Sequence, residues 1–268
     1  MIAVDLQGST VVVTGGTRGL GRAIGIELAR AGASVVLTHR WDSVPAGEVQ
    51  EAFASLSLPA PEVVESDVSD PAATRALMRS LRGRAPLRAI VSNVAFAKIV
   101  RDLSDLKRNA LDLSLAYSAW PIVDLVQAAQ EELGTLPRYV VGVSSDGAEV
   151  CHPGYDLAGA SKAVLETLCR YLAVRLRAQG VRVNALRPGL LDTQSSRAML
   201  GDETLERLVR RVPSPVLDLT GVARACVALC SGLLDSMTGQ VLVVDEGWSL
   251  VDPLDWISGP EAGPDGAR

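Results

Sequence analysis

A glycine-rich turn near the start of the chain constrains the fold more than any other segment. Residues 10–21 read TVVVTGGTRGLG, so an apolar run is followed at once by glycines at positions 15, 19 and 21. In a strand–turn–helix unit, Gly15 permits the sharp turn, Gly19 lets the backbone approach a pyrophosphate, and Gly21 lets the helix pack closely on the strand. The helix N-terminus then directs backbone amides at phosphate. The segment therefore predicts a dinucleotide-binding unit.

Short apolar runs and longer amphipathic stretches alternate along the rest of the chain, which predicts a parallel sheet covered by helices on both faces. We expect one α/β domain, a Rossmann-type doubly wound fold with a seven-stranded parallel sheet, over residues 1–252, and a Gly/Pro-rich tail over residues 253–268. The predicted strands are Thr10–Thr14, Ser34–Thr38, Glu62–Ser66, Leu87–Val91, Arg138–Val143, Arg182–Leu186 and Gln240–Val244. The predicted helices are Leu20–Ala31, Pro45–Ser55, Pro71–Arg82, Leu103–Leu133, Tyr155–Ala178, Arg197–Val212 and Leu219–Gly232.

Charge and composition argue against several kinds of partner. A net charge of −5 is unlike the basic footprint of a nucleic-acid-binding protein. No apolar run reaches the roughly 18 residues that span a bilayer, and the first residues lack a basic region followed by an apolar stretch. We therefore expect no nucleic-acid or membrane partner and a cytoplasmic location. The four scattered cysteines predict reduced core thiols and no metal site.

The TGxxxGxG turn resembles the short-chain dehydrogenase/reductase family, and the resemblance extends from about residue 8 to residue 250. Further matches are Asp67 after the third strand, Asn93 after the fourth, the Asn184–Gly189 loop followed by Thr193, and the closing segment that contains Thr238–Gln240 and Asp245–Gly247. The resemblance implies a nicotinamide dinucleotide cofactor. The cofactor contacts that it implies are Gly15, Thr17, Arg18, Gly19, Leu20, Gly21, Arg40, Asp67, Val68, Asn93, Lys162, Pro188, Gly189 and Thr193.

The end of the second strand bears on the choice of dinucleotide. A free ribose 2′-hydroxyl calls for a carboxylate at this tip, but the strand ends Leu37-Thr-His-Arg40. Arg18 and Arg40 are suited to a 2′-phosphate, since guanidinium groups bind phosphate through charge-assisted bonds. We therefore favour NADP(H). Asp42 lies two residues further on and keeps NAD(H) open.

The expected catalytic helix departs from the commoner family pattern. Lys162 lies in Gly159-Ala-Ser-Lys, but Ala158 stands where a YxxxK motif requires tyrosine. Tyr155 lies seven residues before Lys162, and seven helical residues turn through about 700°, so the two side chains share a face. Ser145 lies ten residues before Tyr155, at the end of the fifth strand. We predict Tyr155, Lys162 and Ser145 as the catalytic residues.

The Tyr-x6-Lys spacing resembles the enoyl-acyl-carrier-protein reductases of this family, in particular the ketoreductase-like type III subgroup. Ser114 agrees with that resemblance, because many ketoreductases have asparagine there. The resemblance implies NADPH-dependent hydride transfer to an α,β-unsaturated thioester, in fatty-acid or polyketide-type metabolism, with a substrate carried on acyl carrier protein or coenzyme A. It also implies a homo-oligomer, a tetramer or a dimer. Two alternatives stay open: a ketoreductase or alcohol dehydrogenase of the same family, and a catalytically silent NADP-binding partner or sensor.

Overall fold

The computed structural model describes residues 4–41, 44–211 and 216–251, with the backbone alone at residues 195 and 209–211. Its centre is a sheet of seven strands that all run parallel, in the order β3-β2-β1-β4-β5-β6-β7. The strands are β1 Thr10–Val13, β2 Ser34–His39, β3 Glu62–Glu65, β4 Leu87–Ser92, β5 Tyr139–Val143, β6 Arg182–Pro188 and β7 Val241–Val244. The predicted fold class is confirmed.

Helices cover both faces of the sheet. They are α1 Gly19–Arg30, α2 Ala46–Ala54, α3 Pro71–Ser80, α4 Arg108–Ser118, α5 Pro121–Leu133, α6 Asp156–Leu176, α7 Gln194–Leu200, α8 Asp202–Arg211 and α9 Leu219–Ser231. Successive side chains of a strand point to opposite faces, and β1 shows this directly. Val11 and Val13 pack with α1 and α9, whereas Val12 packs with α3 and α5. A run of apolar residues is therefore needed in each central strand.

Two long helices predicted from the sequence are wrong, because each is divided in two. The segment predicted as one helix over Leu103–Leu133 contains a short 3-10 turn at Leu103–Asp105, then α4, then α5. Pro121 lacks the N–H that would continue α4, so it opens α5 as the first residue. Within the segment predicted as Arg197–Val212, Gly201 has φ +75° and separates α7 from α8.

The strand order reverses between the neighbouring strands β1 and β4, because β2 and β3 follow β1 on one side and β5 to β7 follow β4 on the other. Chain connections leave the carboxyl ends of the two strands in opposite directions, and a crevice opens between them. The predicted tail, residues 253–268, lies outside the described residues, and the domain boundary at residue 252 stays a prediction. Across the described ranges, no helix combines the length and the apolar character needed to cross a bilayer.

Candidate active site

A cleft of about 1590 Å³ lies at the carboxyl ends of the strands, across the point where the strand order reverses. Every residue predicted from the sequence to serve in catalysis or cofactor contact lines this cleft. The residues come from the glycine turn, the ends of β2 to β6, the start of α6 and the loop before α7. One continuous surface thus brings together segments that are distant in the chain.

The glycine turn has the backbone geometry of a phosphate cradle. Gly15 and Gly19 have φ angles of +62° and +51°, which side-chain-bearing residues rarely adopt. A Cβ atom on Gly21 would lie 2.2 Å from the carbonyl oxygen of Gly15. No side chain caps the first turn of α1 and none of its residues is acidic, so its amides face the cleft without a competing acceptor. The turn fits a dinucleotide pyrophosphate.

Asn93 ties the glycine turn to β4. Its Nδ2 donates hydrogen bonds to the carbonyl oxygens of Thr14, at 3.0 Å, and Gly15, at 3.2 Å. Its backbone amide donates to the hydroxyl of Thr14 at 2.9 Å. Asn93 therefore fixes the shape of the cradle from the neighbouring strand, which is how it can act on a cofactor.

Arg40 and Asp67, predicted to contact different parts of the cofactor, form an ion pair with each other. Arg40 also donates a hydrogen bond of 2.8 Å to the hydroxyl of Tyr117, and its guanidinium carbon lies 4.3 Å from the ring centroid of Trp41. Trp41, Phe96 and Tyr117 form an aromatic cluster with centroid separations of 5.0 to 6.2 Å. The sequence indicated neither the ion pair nor this cluster, since Arg40 and Tyr117 lie 77 positions apart.

Other polar groups at this end of the cleft have room for a ligand. Arg18 donates a hydrogen bond of 2.7 Å to Gln194 at the start of α7, which holds its side chain over the cleft. Among the described residues, the hydroxyl of Thr38 and the Nδ1 atom of His39 are buried without a hydrogen-bond partner, and both residues line the cleft. Buried polar atoms are normally hydrogen-bonded, so these two are suited to contacts with a polar ligand in the cleft. Asp42 lies outside the described residues.

Tyr155 lies at the N-terminal cap of α6, with its ring against Gly147 in the 3-10 turn that follows β5. A Cβ atom on Gly147 would lie 2.4 Å from the ring of Tyr155, and one on Gly159 would lie 2.4 Å from the carbonyl oxygen of Gly147. Because Gly147 and Gly159 have no side chains, the 3-10 turn, the ring of Tyr155 and α6 can pack closely together. Ala158 is absent from the cleft lining, whereas Tyr155 is part of it.

Tyr155 and Ser145 both line the cleft. Burial raises the pKa of Tyr155, and the interaction with the side chain of Ser145 opposes that rise. Ser145 donates a hydrogen bond of 3.0 Å to a carboxylate oxygen of Asp146. The cleft therefore contains two hydroxyl groups that can act on a substrate oxygen.

Lys162 is buried, and its ammonium donates a hydrogen bond of 2.6 Å to the carbonyl oxygen of Val143 at the end of β5. Burial lowers the pKa of Lys162 to about 8, although Cys169 and Glu166 raise it. Its side chain lines the cleft, as a contact with a cofactor ribose requires. Ser114, by contrast, is buried within α4, and its hydroxyl donates to the carbonyl oxygen of Ala110 at 2.9 Å.

Asp146 and His152 form an ion pair beside Tyr155 that sequence reasoning missed. The Nε2 atom of His152 lies 3.0 Å from a carboxylate oxygen of Asp146, and both residues line the cleft. Burial alone would raise the pKa of Asp146, but the contacts with His152, Ser145 and the amide of Gly147 lower it. The contact with Asp146 raises the pKa of His152, while burial opposes this. In the sequence, the nearness of His152 to Tyr155 was the one indication that this histidine lies at the site.

A buried ion pair supports the wall of the cleft behind β5. Arg187 on β6 donates to Glu166 on α6 at 2.7 Å, and both side chains are buried. The hydroxyl of Ser144, which lines the cleft, donates to the same carboxylate at 2.7 Å. Arg187 also pairs with Glu149 at the surface. This network joins the ends of β5 and β6 to α6.

The loop after β6 closes the other side. Gly189 donates its amide to the carbonyl oxygen of Val244 at 3.0 Å, and Thr193 caps α7 through Ser196. Apolar side chains of α7, α8 and the final 3-10 turn continue the lining. They are Met199, Leu200, Leu208 and Trp248. An apolar acyl chain fits such a surface.

A doubly wound sheet, a glycine cradle at its switch point and a tyrosine–lysine pair at the same edge define a nicotinamide-dinucleotide oxidoreductase. The chain belongs to the short-chain dehydrogenase/reductase family, since the family model described as Enoyl-(Acyl carrier protein) reductase matches residues 15–249. The match covers the cradle, the tyrosine–lysine pair and the loop before α7.

Similar proteins agree with this membership. A 1-cyclohexenylcarbonyl-CoA reductase of Streptomyces collinus is 32% identical, with 94% of this chain and 90% of that protein covered. An NADH enoyl-[acyl-carrier-protein] reductase of Synechocystis is 28% identical, with 92% and 99% covered. The Bacillus cereus enoyl-acyl carrier protein reductase, solved with NADP+ and an indole naphthyridinone, has a TM-score of 0.80 at 24% identity, with 94% and 100% covered. This last likeness shows the fold.

Proposed function

We propose that this protein is an NADPH-dependent reductase of the carbon–carbon double bond in an α,β-unsaturated thioester, in fatty-acid or polyketide-type metabolism. The observation that carries the proposal is the placement of Tyr155 and Ser145 in the cleft, seven and seventeen positions before the buried Lys162, with Ala158 outside the lining. Tyr155 rather than residue 158 therefore serves as the active-site phenol. The relatives named for enoyl thioester reduction support the same substrate class.

The residues of the cleft supply what such a reduction requires. When bound, NADPH would supply a hydride to the β-carbon of the substrate, and a proton from solvent, added at the α-carbon, would complete the reduction. Negative charge then develops on the thioester oxygen, and the hydroxyl of Tyr155 donates a hydrogen bond to that oxygen. Ser145 opposes the rise in the pKa of the phenol that burial causes. The ammonium of Lys162 would bind the ribose and supplies a positive charge to the same cleft.

The preference for NADPH rests on two arginines. Arg18 and Arg40 both line the end of the cleft beside β2, and the side chain of Arg40 keeps 37% of its surface exposed. A 2′-phosphate that binds there competes with Asp67 for Arg40, which leaves the carboxylate free to accept from the adenine amino group. We expect Arg40→Ala to weaken NADPH binding at least tenfold and to leave NADH binding nearly unchanged, in fluorescence titrations of both cofactors. Equal losses for both would contradict the preference.

Oligomerisation and location complete the proposal. Apolar side chains on the outer face of α6 and between α4 and α5 are strongly exposed in the single chain: Tyr171 at 72%, Val174 at 68% and Trp120 at 52%. A homo-oligomer that buries them is our proposal. The free, exposed Cys151 supports a reducing cytoplasmic compartment.

The test of the reaction is the oxidation of NADPH by purified protein with crotonyl and longer enoyl thioesters, on coenzyme A and on acyl carrier protein, next to a ketone substrate. We expect turnover of an enoyl thioester and a loss of about 10²–10³ in kcat for Tyr155→Phe. Tyr171→Phe is the matched control, because this tyrosine lies on the same helix and is exposed outside the cleft. Turnover of ketones alone would favour the ketoreductase alternative, and tight NADPH binding without any turnover would favour a silent binding protein.

A further inference from the structure

A continuous set of polar contacts leads away from the phenol of Tyr155 toward the rim of the cleft. The side chain of Ser145 interacts with the phenol of Tyr155 and lowers its pKa against the effect of burial, Ser145 donates to one carboxylate oxygen of Asp146 at 3.0 Å, and the other oxygen pairs with His152 at 3.0 Å. The ring centroids of His152 and Tyr155 are 6.1 Å apart. His152 is therefore linked to the phenol both through these contacts and across a short gap.

The carboxylate of Asp146 is in an unfavourable place for the proposed reaction. It is mostly buried, it accepts a hydrogen bond from Ser145, and its charge acts on the phenol of Tyr155. An uncompensated carboxylate there raises the pKa of Tyr155, which makes the phenol a weaker donor, and repels charge that develops on a substrate oxygen. A positive partner on the far side of Asp146 removes this penalty.

We propose that His152 is a positioning residue for this site: its imidazolium neutralises Asp146 and holds it against Ser145, so that Tyr155 faces an uncharged neighbour while the substrate oxygen gains negative charge. The inference rests on the proposed reduction of an enoyl thioester. It assigns a role to a histidine that is outside the tyrosine–lysine pair.

The protonation state of His152 sets the pH range of this effect. Two groups face its ring in the described part of the chain: the carboxylate of Asp146, from the 3-10 turn, and the phenol of Tyr155, from the start of α6. The neighbouring Cys151 is exposed. Asp146 holds the pKa of His152 above its ordinary value of 6.5, so the imidazolium is present at and below that pH and is lost as the pH rises through the higher value. Activity should fall on that alkaline side.

The first experiment detects the electrostatic coupling between His152 and Tyr155 without an activity assay. The chain has two histidines and four tyrosines, so proton spectra of the histidines and carbon-13 spectra of ring-labelled tyrosines are simple to assign with His152→Gln and Tyr155→Phe. We expect the Tyr155 signal to change with the same midpoint as the ionisation of His152. Both His152→Gln and Asp146→Asn should remove that change, and Asp146→Asn should return the His152 midpoint toward 6.5. A Tyr155 signal that stays constant through the His152 titration overturns the inference, whether or not the protein reduces enoyl thioesters.

The second experiment measures kcat and KM for an enoyl thioester against pH. His152→Gln should lower kcat about tenfold near neutral pH with little change in KM, and should remove the fall that accompanies loss of the imidazolium. The double variant Asp146→Asn with His152→Gln should recover most of the loss, because no carboxylate is left to neutralise. If His152→Gln does not fold, the double variant and Asp146→Asn alone must both retain activity, and neither may show the fall in kcat that accompanies loss of the His152 imidazolium. Additive losses in the double variant overturn the inference, and a wild type without enoyl activity refutes the proposed function instead.

Discussion

Lys162 offers a sharp test of the electrostatics of the site, because the structure makes its charge costly to fold. Its ammonium is buried and has one backbone acceptor, the carbonyl oxygen of Val143. The perturbation is Lys162→Met, which keeps a long unbranched side chain and removes the charge. We expect this variant to lose activity, since it removes the group that we propose binds the ribose, while its cofactor-free stability responds differently to pH.

The size and the sign follow from the pKa of Lys162, which falls from an ordinary 10.5 to about 8 in the folded chain. At about 1.36 kcal/mol for each pKa unit, protonated Lys162 costs the folded state roughly 3 kcal/mol. Between pH 8 and 10.5 the unfolded chain binds the proton that the folded chain has lost. The free energy of unfolding of the wild type therefore rises through this window, and the cost is fully present below pH 8.

The assay is urea unfolding of the cofactor-free protein at several pH values from 7 to 10.5, for the wild type, Lys162→Met and Lys107→Met. Lys107 is exposed and serves as the matched control. The difference in unfolding free energy between wild type and Lys162→Met should change by roughly 2–3 kcal/mol across the window, in favour of the wild type at high pH. The lost hydrogen bond to Val143 shifts all values equally and leaves this change intact. Parallel curves for wild type and Lys162→Met would refute the reasoning.

Three further predictions concern the phenol, the cradle and the buried ion pair. Tyr155→Phe should leave NADPH affinity within about twofold in a fluorescence titration while kcat falls by about 10²–10³. Gly21→Ala places a Cβ atom 2.2 Å from the carbonyl oxygen of Gly15, so it should destabilise the chain by about 1–3 kcal/mol in thermal unfolding and weaken cofactor binding at least tenfold. Arg187→Met leaves the carboxylate of Glu166 buried without its partner and should cost about 3–5 kcal/mol in urea unfolding, whereas replacing both residues by apolar ones should cost much less.

The sequence predicted the sheet well because local pattern and tertiary environment agree there. Central strands need apolar residues on both faces, so the runs that end at Val13 and Val143 could be found from the sequence pattern alone. The helices were harder to bound. A helical pattern of apolar residues continues across Pro121 and across Gly201, and only the backbone chemistry of these two residues interrupts it.

The features of the candidate site likewise fall into those that the sequence predicts and those that it does not. Backbone requirements leave a mark on the sequence, which is why the glycine turn and the loop before α7 could be predicted. Ion pairs between segments distant in the chain leave no local mark. Arg40 was predicted as a free phosphate ligand, yet it is paired with Asp67, and Asp146 gave no signal at all before its contact with His152 was seen. Such partners depend on how side chains of different elements meet.

The position of Tyr155 shows how a fold can accept a displaced functional group. Three residues along a helix correspond to about 4.5 Å of axial rise, which would carry a phenol well away from the place that residue 158 occupies. Tyr155 lies at the N-terminal cap of α6, where the backbone departs from the helical path, and its ring packs on Gly147. Gly159 lets the turn after β5 approach the helix closely enough for that contact. The spacing of tyrosine and lysine is thus tied to Gly147 and Gly159. Moving the tyrosine from position 155 to position 158 should therefore give little activity, because the contacts of these glycines suit a ring at the helix cap.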